Sequence, residues 1–348
     1  MSRVPVVITS YLEPELVERV RAVDPRLAVA YEPELLPPPL YPSDHRGDPS
    51  FTRTPEQKER FAALVGGAEV LFGFPREDPA QLAWAVRAAP GLRFVQCAFA
   101  GAGQQIRAAG LTEQELERVR FASSAGVHAT PLAEWSMFGL LALRKGLPRL
   151  LADARAREWP HYPVPELRGE TLLVVGVGEI GREVARLAAA FGMRVIGVRR
   201  NHHEPAPHVE RLYPPRDLRE LAEVADAIVV TLPLTPETEG LVSRRVIEAM
   251  RPEAILVNVG RGAVVDERAL IEALQARRIT GAALDVFAEE PLPPESPLWE
   301  LDNVIVSPHT AALSIHENAR IVDIFCENLR RYLAGEELVS RVRPGVFY

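Results

Sequence analysis

Gly176-Val177-Gly178-Glu179-Ile180-Gly181 sets three glycines at the spacing a dinucleotide phosphate requires. A short apolar run, Thr171 to Val175, precedes them, and a helical pattern from Ile180 to Phe191 follows. In that setting Gly176 permits a tight turn, Gly178 lets the backbone approach a pyrophosphate, and Gly181 allows the helix to pack closely on the strand. The helix start adds unpaired N–H groups and the positive end of a dipole. The next strand, Arg194 to Val198, runs into Arg199-Arg200-Asn201, with no acid to accept from ribose hydroxyls. Two guanidiniums there suit a 2′-phosphate, so the pattern favours NADP, with NAD as the alternative.

Three later segments carry further reactive side chains. Val257-Asn258-Val259-Gly260-Arg261-Gly262 ends an apolar strand in an arginine between two glycines. Ligands bind at such strand ends in a doubly wound sheet, and an arginine there can grip a carboxylate with both arms of its guanidinium. Ala283-Leu284-Asp285-Val286-Phe287-Ala288-Glu289-Glu290-Pro291 offers three acids, and Val306-Ser307-Pro308-His309-Thr310 one histidine. Taken singly, a lone arginine or histidine in such a loop is more often a residue with local hydrogen bonds. His202, His203 and His208 share a proline-bearing loop without acids at metal-ligand spacing, so no metal site is expected.

The elements that must position these residues alternate. Val4 to Thr9, Leu27 to Tyr31, Val70 to Phe74 and Phe94 to Cys97 read as strands, with helical patterns at Glu13 to Val23, Pro55 to Val65 and Pro79 to Ala89. Residues 32 to 50 are rich in proline and read as a long surface loop. Pro131 to Ala156 reads as a long helix starting after Thr130 and bent or split at Gly146 and Pro148. Further β-rich runs fall at Ala227 to Val230, Ala254 to Asn258, Thr280 to Asp285 and Val304 to Val306, and a last helix at Glu317 to Ala334. Such alternation implies parallel sheets covered by helices.

Composition sets the bounds. A chain of 348 residues suggests two domains at about 150 residues each. A formal net charge of −7 argues against nucleic acid as the main partner. No apolar run is long enough to span a membrane. Cys97 and Cys326 make no disulfide framework, which fits a cytoplasmic location.

Taken together, GVGEIG, VNVGRGAVVDE, LDVFAEEPLP and VSPH resemble the D-isomer-specific 2-hydroxyacid dehydrogenases, at high specificity from about Ala125 to Ala312. Residues 1–124 share only the strand–helix rhythm. The resemblance implies an α/β protein of two Rossmann-like domains, each a doubly wound parallel sheet. One is a dinucleotide-binding domain over 126–311. The other is a discontinuous substrate domain made of 1–125 plus 312–348. A homodimer through the helical region after Pro131 is also implied.

The same resemblance assigns roles. Arg261 would hold the substrate carboxylate and polarise its 2-oxo group. His309 would protonate the carbonyl oxygen, or act as base in the reverse direction. Glu290 would accept a hydrogen bond from His309, which favours the protonated ring that a general acid needs; Glu289 is the rival for this place. Glu179 and Ile180 would line the pyrophosphate turn, and Leu232, Pro233 and Thr238 the adenine side and phosphates. Val259, Gly260 and Arg261 would pass beneath the nicotinamide ribose, and Asp285 would accept from the nicotinamide amide or its ribose. Ala100, Gly101, Ala102 and Gly103 would offer N–H groups to the substrate carboxylate.

The implied reaction is hydride transfer between NADP(H) and a 2-oxo acid / D-2-hydroxy acid pair, with glyoxylate or hydroxypyruvate as plausible substrates. Departures from the family pattern, Gln104-Gln105 after the substrate turn and Trp135 after Glu134, bear on the substrate and not on the reaction. The alternatives are a dinucleotide-sensing, corepressor-like binding protein and a formate-dehydrogenase-like enzyme. The latter pairs its histidine with Gln, where this sequence has Glu290.

Overall fold

The computed structural model describes residues 3–343. The chain divides into two compact units, one running to Val127 and resuming at Leu313, the other spanning His128–Ala312. The first unit begins with β1 (Val4–Ile8), α1 (Pro14–Arg21), β2 (Leu27–Ala30), α2 (Pro55–Gly66) and β3 (Val70–Phe72). It continues with α3 (Pro79–Ala88), β4 (Phe94–Gln96), α4 (Ala102–Ala108), α5 (Glu113–Arg118) and β5 (Arg120–Ala122). The second holds α6 (Ala129–Arg144), α7 (Leu147–Ala156), β6 (Thr171–Val175), α8 (Glu179–Ala190), β7 (Arg194–Val198), β8 (Arg211–Tyr213) and α9 (Leu218–Ala222). After these come β9 (Ala227–Val230), α10 (Arg244–Ala249), β10 (Ile255–Asn258), α11 (Glu267–Gln275), β11 (Gly281–Leu284) and β12 (Val304–Val306). The chain then returns to the first unit with α12 (Glu317–Ala334) and β13 (Arg341–Val342).

Strands β9, β10 and β11 are buried along their whole length, which only helices on both faces of a parallel sheet can achieve. The second unit's sheet runs β12-β11-β10-β9-β6-β7-β8, and every pairing is parallel. The chain lays β7 and β8 on one side of β6 and then crosses back to lay β9 on the other. That reversal opens a crevice at the C-terminal ends of β6 and β9, the usual ligand position in such sheets. Gly139 lets α6 sit against the sheet, because a Cβ there would overlap the Ala283 side chain.

The first unit's sheet runs β13-β5-β4-β3-β1-β2, parallel except for β13. The two stretches of chain that build this unit meet in a buried polar knot. Asn328 donates to Gln96 Oε1 (2.9 Å) and to the Val339 carbonyl (3.2 Å), and accepts from the Val339 N–H (2.7 Å). Both side chains are fully buried. Asn328→Ala would strand these groups without water, so we expect a loss of about 2–4 kcal/mol, readable as a lowered urea midpoint. An unchanged midpoint would refute the knot's role.

The helix expected over Pro131 to Ala156 is split at Gly146, as the sequence indicated, but begins earlier, at Ala129 directly after His128. Gly146 is left-handed (φ 66°) and Pro148 opens the next helix, so the first ends at a residue type that can leave it and the second starts with one suited to a first turn. Residues 32–50 form an anchored segment as much as a surface loop: Leu35, Leu36 and Asp44 are buried. The Asp44 carboxylate accepts from the N–H groups of Leu40, Arg46 and Gly47, and Arg76 donates to the Phe51 carbonyl (2.9 Å). The short elements α4, α5, β5, β8 and β13 carry too few residues for a readable period. Among the described residues no helix is long and apolar enough to cross a membrane.

Candidate active site

The phosphate turn follows β6. Gly176 has φ 108°, and a Cβ on it would crowd Leu232 and the Thr231 hydroxyl. That hydroxyl donates to the Gly176 carbonyl (2.5 Å), tying the end of β9 to the turn. Gly178 is the N-cap of α8 without a side-chain cap, and a Cβ there would meet nothing within 4 Å. Space is therefore left over the first turn of α8, where the N–H groups of Glu179, Ile180 and Gly181 have no intrahelical acceptor. A Cβ on Gly181 would overlap the Gly176 carbonyl, so this glycine sets how closely α8 approaches β6.

The turns beside it come from β7 and β9. Arg199 donates to the carbonyls of Asn201 (2.6 Å) and Glu204 (2.5 Å), while Arg200 is exposed. Leu232 and Pro233 lead into a turn braced by Thr238, whose hydroxyl donates to the Pro233 carbonyl (2.7 Å) and accepts from the Thr235 N–H (2.8 Å). Thr238 thus shapes this turn through its own hydroxyl.

The arginine between two glycines is a product of crowding. A Cβ on Gly260 would overlap the Leu232 carbonyl, and one on Gly262 would overlap the Phe287 backbone. Asn258 holds the turn by accepting from the Gly260 N–H (3.0 Å) and donating to the Arg261 carbonyl (3.1 Å). Val259 is buried, and Arg261 is extended and exposed, with its guanidinium donating to the Gly260 carbonyl (2.7 Å).

His309 Nδ1 lies 2.7 Å from Glu290 Oε2, and Glu290 Oε1 accepts from the Phe287 N–H (3.0 Å). The hydrogen bond to the carboxylate fixes the ring with Nδ1–H as donor and leaves Nε2 for a substrate oxygen. Burial pulls the Glu290 carboxyl upward, but the hydrogen bonds from His309 and Phe287, with the charges of His309 and Arg261, hold it below the ordinary glutamate range. It is an anion at neutral pH. His309 meets Glu290 and not Glu289. His309 itself has φ 56°, a left-handed conformation that a non-glycine residue adopts at a cost.

Asp285 explains how that conformation is held. It is 1% exposed, and its Oδ1 accepts from Ser307 Oγ (2.6 Å) and from the N–H groups of Thr310 (2.9 Å) and Ala311 (3.0 Å). The structure therefore gives Asp285 a positioning task beneath the histidine loop through its Oδ1. Glu267 performs a similar task, accepting from the Ala288 N–H (2.9 Å). Sequence reasoning passed over Asn258, Ser307 and Glu267. All three lie inside motifs already noted, but Glu267 is 21 residues from its partner, so its contact has no local mark in the sequence.

In the first unit, residues Ala100–Gly103 are the entrance of α4, with Gly101 as N-cap and Ala102 and Gly103 buried in its first turn. Ala100 and Gly101 form the turn the sequence indicated, and Ala102 and Gly103 open the helix that follows it. Among the described residues no group of three or more His, Cys, Asp or Glu is arranged to hold a metal ion.

A seven-stranded parallel sheet with a glycine turn at its switch point and an Arg–Glu–His set at neighbouring strand ends defines the class of dinucleotide-dependent oxidoreductases. Residues 137–311, half of the chain, match the family model described as D-isomer specific 2-hydroxyacid dehydrogenase, NAD binding domain. The chain belongs to the D-isomer specific 2-hydroxyacid dehydrogenase family. It is 39% identical over 209 residues to D-3-phosphoglycerate dehydrogenase of Methanocaldococcus jannaschii, covering 59% of this chain and 39% of that one. It is 41% identical over 192 residues to glyoxylate reductase of Korarchaeum cryptofilum, covering 52% and 57%. The chain thus spans less than two thirds of the length of either relative. The NADPH-dependent glyoxylate/hydroxypyruvate reductase of Sinorhizobium meliloti, solved with NADP and sulfate, matches with a TM-score of 0.73 at 26% identity, over 99% of this chain and 100% of that one.

Proposed function

We propose that this protein reduces a small 2-oxo acid to its D-2-hydroxy acid with NADPH, glyoxylate or hydroxypyruvate being the substrate type. The observation that carries the reading is the His309–Glu290 pair at 2.7 Å, with Arg261 close enough for its charge to act on Glu290. Names of similar proteins point the same way, including glyoxylate reductase and glyoxylate/hydroxypyruvate reductase B.

The phosphate turn fits a dinucleotide: the uncapped α8 start and the open space over Gly178 suit a pyrophosphate. Glu179, Ile180 and Gly181 would hold it by their N–H groups. When bound, the reduced nicotinamide supplies a hydride to C2 of the substrate. Arg261 binds the substrate carboxylate and draws electron density from the adjoining carbonyl. His309 gives its Nε2 proton to the carbonyl oxygen as that oxygen becomes a hydroxyl. Glu290 stabilises the charged ring before transfer and keeps its Nδ1–H in place.

A homodimer belongs to the same reading. Its support is an apolar groove of about 550 Å³ on α6, α7 and α8, lined by residues that include Met137, Phe138, Leu150 and Phe191. The test is NADPH and NADH oxidation against a panel of 2-oxo acids, with light scattering on the same sample. We expect turnover of a short 2-oxo acid and twice the chain mass of 38.4 kDa. Dinucleotide binding with no turnover on any acid would favour the sensing alternative, and the mass of one chain would refute the dimer.

A further inference from the structure

In the first unit, Cys97-Ala98-Phe99 joins β4 to the turn at Ala100 and Gly101. Two carbonyls of this stretch end on one residue. The Ser124 hydroxyl donates to the Cys97 carbonyl (2.7 Å), and the Ser124 N–H donates to the Phe99 carbonyl (3.1 Å). Ser124 is fully buried and stands 27 residues beyond Cys97. We infer that Ser124 is a positioning residue for substrate binding: by holding these two carbonyls it aims the N–H groups of Ala98 and Ala100 at the substrate carboxylate. The inference rests on the 2-oxo acid reading above and adds to it a residue outside the motifs that carry that reading.

The aim follows from the peptide bond. A trans peptide is planar, with its C=O and N–H on opposite sides. Drawing the Cys97 carbonyl toward Ser124 therefore turns the Ala98 N–H away from that residue. Drawing the Phe99 carbonyl does the same to the Ala100 N–H. Among the described residues neither N–H has a hydrogen-bond acceptor. For Ala98, at 1% exposure, that is uncommon, because nearly all buried backbone donors are paired. Two unpaired donors turned away from one residue suit an acceptor with two oxygens, and a carboxylate is one.

The buried knot orients the serine. Asn328 donates to Gln96 Oε1 (2.9 Å), which leaves Gln96 Nε2 facing Ser124 Oγ (3.3 Å) and the carbonyls of Ser123 and Cys97 (each 3.2 Å). The Ser124 oxygen accepts from Gln96, so its own proton goes to the Cys97 carbonyl. Phe74 backs the same stretch from the loop after β3, meeting the Phe99 ring edge-on with centroids 5.8 Å apart.

Steady-state kinetics with the short 2-oxo acid that the wild-type protein reduces fastest test this. Ser124→Ala is expected to raise KM for that acid about 3- to 10-fold, the worth of one hydrogen bond. Neither kcat nor the calorimetric affinities for NADP⁺ and NAD⁺ should change, because binding is lost alike in ground and transition states and Arg261, Glu290 and His309 belong to the other unit. Ser124→Cys keeps a weaker donor, so its KM should fall between those of alanine and wild type. A lowered urea midpoint with wild-type KM in Ser124→Ala would mark a purely structural serine and overturn the inference. A fall in kcat at unchanged KM, or weakened dinucleotide binding, would overturn it too, since the effect would then lie outside substrate binding. If Ser124→Ala does not fold, Ser124→Cys decides: a raised KM at unchanged kcat supports the assignment and a wild-type KM ends it. Absence of turnover by the wild-type protein on every 2-oxo acid would overturn the reading beneath as well, whereas the preceding adverse outcomes overturn the inference alone.

Discussion

His309→Ala is expected to lower kcat for 2-oxo acid reduction by about 10²- to 10⁴-fold, the range for a positioned acid–base group, while dinucleotide binding holds. The carbonyl oxygen gains negative character as C2 is reduced, and the proposed proton donor to it is Nε2 of a ring held through its Nδ1 by Glu290. Alanine removes that donor but leaves Asp285 in contact with Ser307, Thr310 and Ala311, so the loop keeps its anchor. Glu290→Gln is the companion test. The amide still accepts the Nδ1–H but brings no negative charge to the ring, so kcat should fall while dinucleotide binding holds. Wild-type turnover in His309→Ala would end the assignment, and wild-type turnover in Glu290→Gln would return the carboxylate role to Glu289.

Arg261→Ala should cost about 10²- to 10³-fold or more in kcat/KM, the scale for removing one group that stabilises developing charge. Two interactions go at once, the fork on the carboxylate and the pull on the carbonyl, so KM rises as kcat falls. The backbone of the turn should survive, since Asn258 holds it through the Gly260 N–H and the Arg261 carbonyl. Arg261→Lys separates the contributions: it restores a charge but not the planar fork, so recovery should be partial. An alanine variant within tenfold of wild type would place the carboxylate elsewhere.

Much of this is legible in the sequence. The glycines of the phosphate turn are a local steric demand, and local demands are written in neighbouring residues. The alternation of apolar runs with helical patterns was enough to expect a parallel sheet covered by helices, because a strand buried on both faces must read as a continuous apolar run, and the resemblance to the family implied two such sheets. The residues around Arg261 and His309 stood out for the same reason: each motif is a single turn at a strand end. What remained open was whatever depends on which strands become neighbours. Glu289 and Glu290 are adjacent in sequence, and only the approach of residues 307–310 chose between them. The sequence presents Asp285 as a cofactor contact, and its second task, anchoring the histidine loop through Oδ1, is not legible there, because it arises only when β11 and β12 pair in the sheet and bring residue 285 beneath residues 307–311. Arg199 and Arg200 are the same residue type side by side; the path of the loop to Glu204 engaged one guanidinium and left the other to solvent. Sequence determines the local geometry of each strand end, and tertiary structure decides which ends meet, because that depends on strand order and on contacts between residues far apart in the chain.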